Sequence, residues 1–159
     1  MVAVAIEQLP TLRQRRGVYR ELPADVLVPV EDAISCLGFR LLRPAVVLLG
    51  LAYETAVLRV LERLSSRAIV TMSRAGRTAA EQIATLRRLL PNLEMRTDER
   101  GTATAAVDFA DHLRERRADA AHPIEGWPFD DTDEVEELTT SALRHLPRLW
   151  EIGVRDLRS

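Results

Sequence analysis

Arg117 and His122 are separated by Ala-Asp-Ala-Ala within the stretch Arg114-Glu115-Arg116-Arg117-Ala118-Asp119-Ala120-Ala121-His122-Pro123. An unperturbed imidazole titrates near ~6.5, so it exchanges protons close to neutral pH. A guanidinium stays charged and presents a planar, two-pronged donor set to a phosphate. Together they supply proton transfer and charge stabilisation, the two things that phosphodiester cleavage needs. The same residues also have plainer uses. His122 can cap helix carbonyls, and Arg117 can pair with Asp119, Glu115 or Glu54. Arg114 and Arg116 are either further phosphate ligands or part of a solvated face, and Arg116 fits a motif one residue longer.

The elements that must hold these residues follow from the spacing of apolar positions. Pro123 disfavours helical geometry at His122, so the helix carrying Arg117 should end near Ala121. Its inner stripe is Ala106, Val107, Ala110 and Leu113, which predicts a helix from roughly Thr102 to Ala121 after a polar loop over Glu94 to Gly101. A second helix is predicted from Pro44 to about Leu64. Its run Ala45 to Ala52 is apolar on every side, as in a helix covered all round, and Gly50 would permit a close helix–helix approach. From Val57 on, Val57, Leu58, Leu61 and Leu64 point inward. Glu54 lies inside this apolar helix, where a carboxylate is costly unless paired. The expected partner is an arginine of the 114–117 cluster.

The remaining elements frame these two. Pro23 opens a helix whose buried positions are Val26, Val30, Ala33, Ile34 and Leu37, with Gly38 at its end. Residues Ser65 to Gly76 read as a connection or a brief helical turn. Thr78 and Glu81 form a capping box for a helix that buries Ile83, Leu86, Leu89 and Leu90 and stops at Pro91. A loop follows His122, and its Trp127 either stacks on a base or anchors the loop. Asp131 or Thr132 caps the last helix, with Pro147 breaking or kinking it near its middle. Residues 1–22 read as an N-terminal arm. The expectation is one all-α domain over 1–159, an antiparallel bundle of four main helices plus an N-terminal element.

The Arg117/His122 spacing, at the end of a helix late in the series and followed by an acidic-capped helix, resembles the Arg-x4-6-His motif of HEPN domains (higher eukaryotes and prokaryotes nucleotide-binding). The Ala-Ala-His-Pro ending is especially similar to the bacterial members. The resemblance implies a compact helical bundle and a metal-independent endoribonuclease, acting as toxin or effector in a defence or toxin–antitoxin system. In that chemistry the 2′-hydroxyl attacks its own phosphodiester and leaves a 2′,3′-cyclic phosphate and a 5′-hydroxyl. Arg117 and His122 would be catalytic, supported by Asp119, Glu54 and Arg116, with Arg114 and Trp127 touching RNA. It also implies a homodimer with a composite site, and a cognate antitoxin or nucleotidyltransferase as protein partner. One position departs from the pattern. Ala118 stands where the family often has Asn, Asp or His, and Asp119 is turned about 100° away on a helix. The alternative is therefore a non-catalytic HEPN-like module for dimerisation and for binding a nucleotide or a protein.

Composition sets outer bounds. The chain has 159 residues and a net charge of −2, and its 22 basic residues are all arginine. This balance opposes broad capture of nucleic acid, so any such contact must rest on local arginine patches. Cys36 is the single cysteine and has no intrachain partner, which suits a reducing compartment. His112, His122 and His145 lack metal-ligand spacing, and there is no glycine-rich phosphate loop, so neither metal nor cofactor is expected. The N-terminus lacks the features of a signal peptide, and Ala45 to Ala52 is too short to span a bilayer. A soluble, cytoplasmic protein with no membrane partner is expected.

Overall fold

The computed structural model describes residues 21–122 and 131–154. Regular structure among them is entirely helical: α1 (Ala24–Gly38), α2 (Leu42–Ser65), α3 (Met72–Ala75), α4 (Ala79–Leu89), a 3-10 turn (Leu90–Asn92), α5 (Thr97–Ala121) and α6 (Thr132–Trp150). The all-α fold class is as the sequence predicts. The arm over 1–22 lies almost wholly outside the described residues.

The apolar run makes α2 the central helix, packed against α1, α4, α5 and α6. Ala45, Val46, Leu49, Ala52, Val57, Leu61 and Leu64 are buried. Tyr53, 1% exposed, donates its hydroxyl hydrogen to the Ala142 carbonyl of α6 at 2.6 Å, so its one polar atom is satisfied inside the core. By length and composition α2 could cross a membrane, but 56% of its most apolar 18-residue window is buried within the bundle, as in the core helix of a soluble protein. Leu58 does not face the core as its spacing predicts. It is partly exposed, and so is Leu51 at 39%. These two mark the side of α2 that is least covered among the described residues.

Helix ends follow local chemistry. Pro44 is the third residue of α2, which starts at Leu42; in the first turn its missing N–H has no helical partner to lose. The capping box of α4 is complete. Thr78 Oγ1 accepts from the Glu81 N–H at 3.2 Å, and the Glu81 carboxylate accepts from the backbone N–H of Arg77 at 2.7 Å and of Thr78 at 3.2 Å. Thr78→Ala should cost about 1 kcal/mol, a drop of about 2–4 °C in a chain of this size. A thermal melt that matches the parent would contradict this.

The start of α5 differs from expectation. The helix begins at Thr97, so most of the segment over 94–101 is not a loop. Asp98 and Glu99 favour the positive N-terminal dipole, and the Glu99 carboxylate accepts from the Arg96 N–H at 3.2 Å. These gains outweigh the roughly 1 kcal/mol penalty of Gly101 in a helix. In α6, Asp131 is the cap and accepts from the Asp133 N–H at 2.9 Å. Pro147 sits in the last turn of α6 rather than its middle, and the helix continues to Trp150. Arg63 closes that end, donating to the carbonyls of Trp150 at 2.7 Å and Ile152 at 3.0 Å while its guanidinium lies 4.3 Å from the centre of the Trp150 ring. Burial and the like charge of Arg67 push the Arg63 pKa down.

Candidate functional site at the end of α5

One row of buried positions in α5, Ala103, Ala106, Ala110 and Leu113, runs in steps of three and four. The next positions in the series are Arg117 and Ala120, so Arg117 occupies a core-facing position. It is accommodated by α2. A Cβ built on Gly50 would lie 2.6 Å from Arg117 Cβ, 2.9 Å from Cγ and 2.7 Å from Cδ. The absent side chain of Gly50 is thus the space that the Arg117 stem fills. Glu54 is four residues further along α2, on the same face, and accepts a hydrogen bond from Arg117 Nη1. The side chains are 18% (Glu54) and 34% (Arg117) exposed, which puts the pair at the rim of the core. This is the Glu54–arginine contact expected from the cost of a carboxylate in an apolar helix. It leaves most of the five guanidinium donors for another anion.

His122 is the C-cap of α5, with φ −116° and ψ 89°. Its backbone N–H donates to the Ala118 carbonyl at 3.2 Å, and its side chain is exposed. Positions five apart on a helix differ by about 140° in direction, and no hydrogen bond joins the two motif side chains. Arg117 turns inward and His122 is left at the surface of the same helix end. Asp119, placed beside them by the sequence, is exposed and forms no ion pair with Arg117. Among the described residues, the arginine's ion-pair partner is Glu54.

The other arginines of the cluster point elsewhere. Arg116 Nη2 is 3.6 Å from Glu134 of α6. Arg114 pairs with Asp111 at 3.0 Å and Glu115 at 3.5 Å. Trp127 lies outside the described residues. Arg116 and Glu134 line a cavity of about 200 Å³ together with His112, Glu137, Ser141 and the apolar Phe109 and Leu138. Beside it is a ring cluster that sequence reasoning missed. Phe109 stacks on His145 with ring centres 4.9 Å apart, meets Tyr53 edge-on at 5.4 Å and lies 6.2 Å from His112. Burial and the neighbouring Arg144 hold the His145 imidazole below its ordinary pKa. The available signal was Phe109, His112 and Arg116 at steps of three and four along one face of α5.

A larger cavity of about 400 Å³ lies by the first turns of α5, lined by Glu94, Glu99, Thr102, Arg148 and Glu151 among others. From Glu99 to Arg117 is about 27 Å along the helix, so this cavity is separate from the motif. Among the described residues, no three His, Cys, Asp or Glu side chains come together as a metal-binding group. A scan against protein-family models and searches of curated proteins and of solved structures return no match for this chain.

Proposed function

We propose that this chain is a HEPN-like, metal-independent endoribonuclease that works as a homodimer, as the toxin or effector of a bacterial defence or toxin–antitoxin system. One observation carries the reading. The motif arginine sits at a core-facing position, and α2 is shaped to receive it, with Gly50 giving space to its stem and Glu54 fixing its head. A guanidinium held in this way is oriented in advance for a phosphate, and preorganised donors are the effective kind. His122, exposed at the same helix end, would give and take the proton. Because Arg117 and His122 diverge within one chain, a second copy related by a two-fold axis would complete the site, and that gives dimerisation a chemical purpose. A cognate antitoxin or nucleotidyltransferase is the matching protein partner.

The test is cleavage of RNA by purified protein in excess EDTA, together with the mass in solution by light scattering. The proposal expects cutting without metal and twice the chain mass. Cleavage that needs added metal, or a monomer at micromolar concentration, would refute it. A non-catalytic module of the same kind is the second reading. It is favoured by Ala118 and by the charge around the motif, since residues 98–137 hold 13 carboxylates against four arginines. A dimer that leaves RNA intact would decide for it.

A further inference from the structure

The chain's charge is unevenly distributed. In contrast to the acidic segment around the motif, residues 66–92 hold five arginines and one carboxylate. That carboxylate, Glu81, is committed to the capping box. Its bonds from the Arg77 and Thr78 N–H groups hold it below the usual carboxylate range. Arg87 reaches across to Asp108 at 3.1 Å and Asp111 at 3.5 Å. Arg67, Arg74, Arg77 and Arg88 form no ion pair among the described residues, and Arg74, Arg77 and Arg88 are exposed. Ala80 and Ala84, also exposed, lie between Arg77 and Arg88, so no bulky or acidic side chain other than Glu81 separates the two charges.

We infer that the surface formed by α3, the turn after it and the exposed side of α4 binds the phosphate backbone of RNA, through Arg74, Arg77 and Arg88. This rests on the reading of the chain as one that acts on RNA, and it names where a long substrate is held away from the acidic surroundings of Arg117. Residues 66–92 contain no aromatic side chain to stack on a base. Binding here is therefore electrostatic, independent of sequence and steeply salt-dependent. An anionic membrane fits less well. Membrane-surface helices need large apolar residues beside their charges, and of those in α4, Ile83 and Leu86 are buried and Leu89 is partly buried against the core, while Ile69 is exposed at 36%.

The experiment uses the full chain carrying His122→Ala, so that the RNA survives the measurement. Fluorescence anisotropy with a labelled single-stranded 20-mer is compared with the same chain also carrying Arg74→Ala, Arg77→Ala and Arg88→Ala, between about 50 and 200 mM salt. The inference expects at least tenfold weaker binding at low salt. It also expects a log–log salt slope shallower by about 2, at about 0.7 per lost phosphate contact. The arginines are unpaired and exposed, so the melting temperature should stay within a degree or two of the background. Equal affinity in both chains, no RNA binding at low salt, or arginine-dependent binding to phosphatidylserine vesicles without RNA binding would each overturn it. Cleavage by the otherwise unaltered chain separates the two ideas. If Arg74→Ala/Arg77→Ala/Arg88→Ala cuts RNA as well as the parent in EDTA, the surface fails and the nuclease reading stands. If the parent cuts nothing yet RNA binding depends on these arginines, the surface stands and the nuclease reading fails.

Discussion

We expect alanine in place of His122 to slow RNA cleavage by a factor of about 10²–10⁴, the usual worth of a positioned proton-transfer group, with almost no change in stability. The side chain is exposed, and the one hydrogen bond made at this position uses the backbone N–H, which alanine keeps. Arg117→Ala should cost about 10²–10³ in rate, in line with removal of a donor that stabilises transition-state charge. This second variant also strands Glu54, so its stability should fall as well. Arg117→Lys separates the two effects. A point charge still answers Glu54, yet it lacks the planar fork that grips a phosphate. Single-turnover rates and thermal melts on the three variants give the answer. A His122→Ala protein that cuts at the parental rate would remove His122 from the mechanism.

The largest stability effects should come from the seat of Arg117. Gly50→Ala would ordinarily gain about 1 kcal/mol inside a helix. Here we expect a net loss of about 1–3 kcal/mol, the range for overpacking a core. The deciding contact is the 2.6 Å between the added Cβ and Arg117 Cβ. Comfortable carbon contacts begin near ~3.5 Å, and Arg117 Cβ is fixed to the α5 backbone and cannot swing aside. The two helices must part by about 1 Å, which would also pull the guanidinium from Glu54. Glu54→Ala should cost about 1–3 kcal/mol for an unsatisfied partner. It stays below the roughly 3–5 kcal/mol of a deeply buried pair, because Arg117 is 34% exposed and water reaches it. The Glu54→Ala and Arg117→Ala losses should be less than additive in the double variant. Denaturant titration tests these figures, and a Gly50→Ala protein as stable as the parent would contradict the seat.

What the sequence carries, and what it leaves out, can be traced to particular residues. The buried face of α1, the capping box of α4, the end of α5 near Ala121 and the Glu54–arginine pairing all follow from local rules, because each depends on residues a few positions apart or on one costly charge. The heptad-like row Ala103, Ala106, Ala110, Leu113 already points to Arg117 as core-facing. Gly50 signals a close approach but does not say against what. The start of α5 was obscured by Gly101, whose penalty of about 1 kcal/mol is outweighed by Asp98, Glu99 and the bonded Arg96 N–H. Leu58 and Pro147 show the limits of periodicity, since which side of α2 stays open and how far α6 runs depend on partner helices. The pairing of Arg116 with Glu134, and the cluster of Phe109, His112 and His145, join residues of different helices. Spacing shows the row Phe109, His112 and Arg116 on α5 but does not say that Glu134 and His145 of α6 meet it.

The most direct measurement is of the ends left on RNA cut by the pure protein in excess EDTA. The account predicts 2′,3′-cyclic phosphate and 5′-hydroxyl termini. It also predicts that a single 2′-deoxy substitution at the cleaved position blocks the cut, because the attacking oxygen is then missing. Termini with 3′-hydroxyl and 5′-phosphate, or equal cutting of the deoxy-substituted strand, would contradict it.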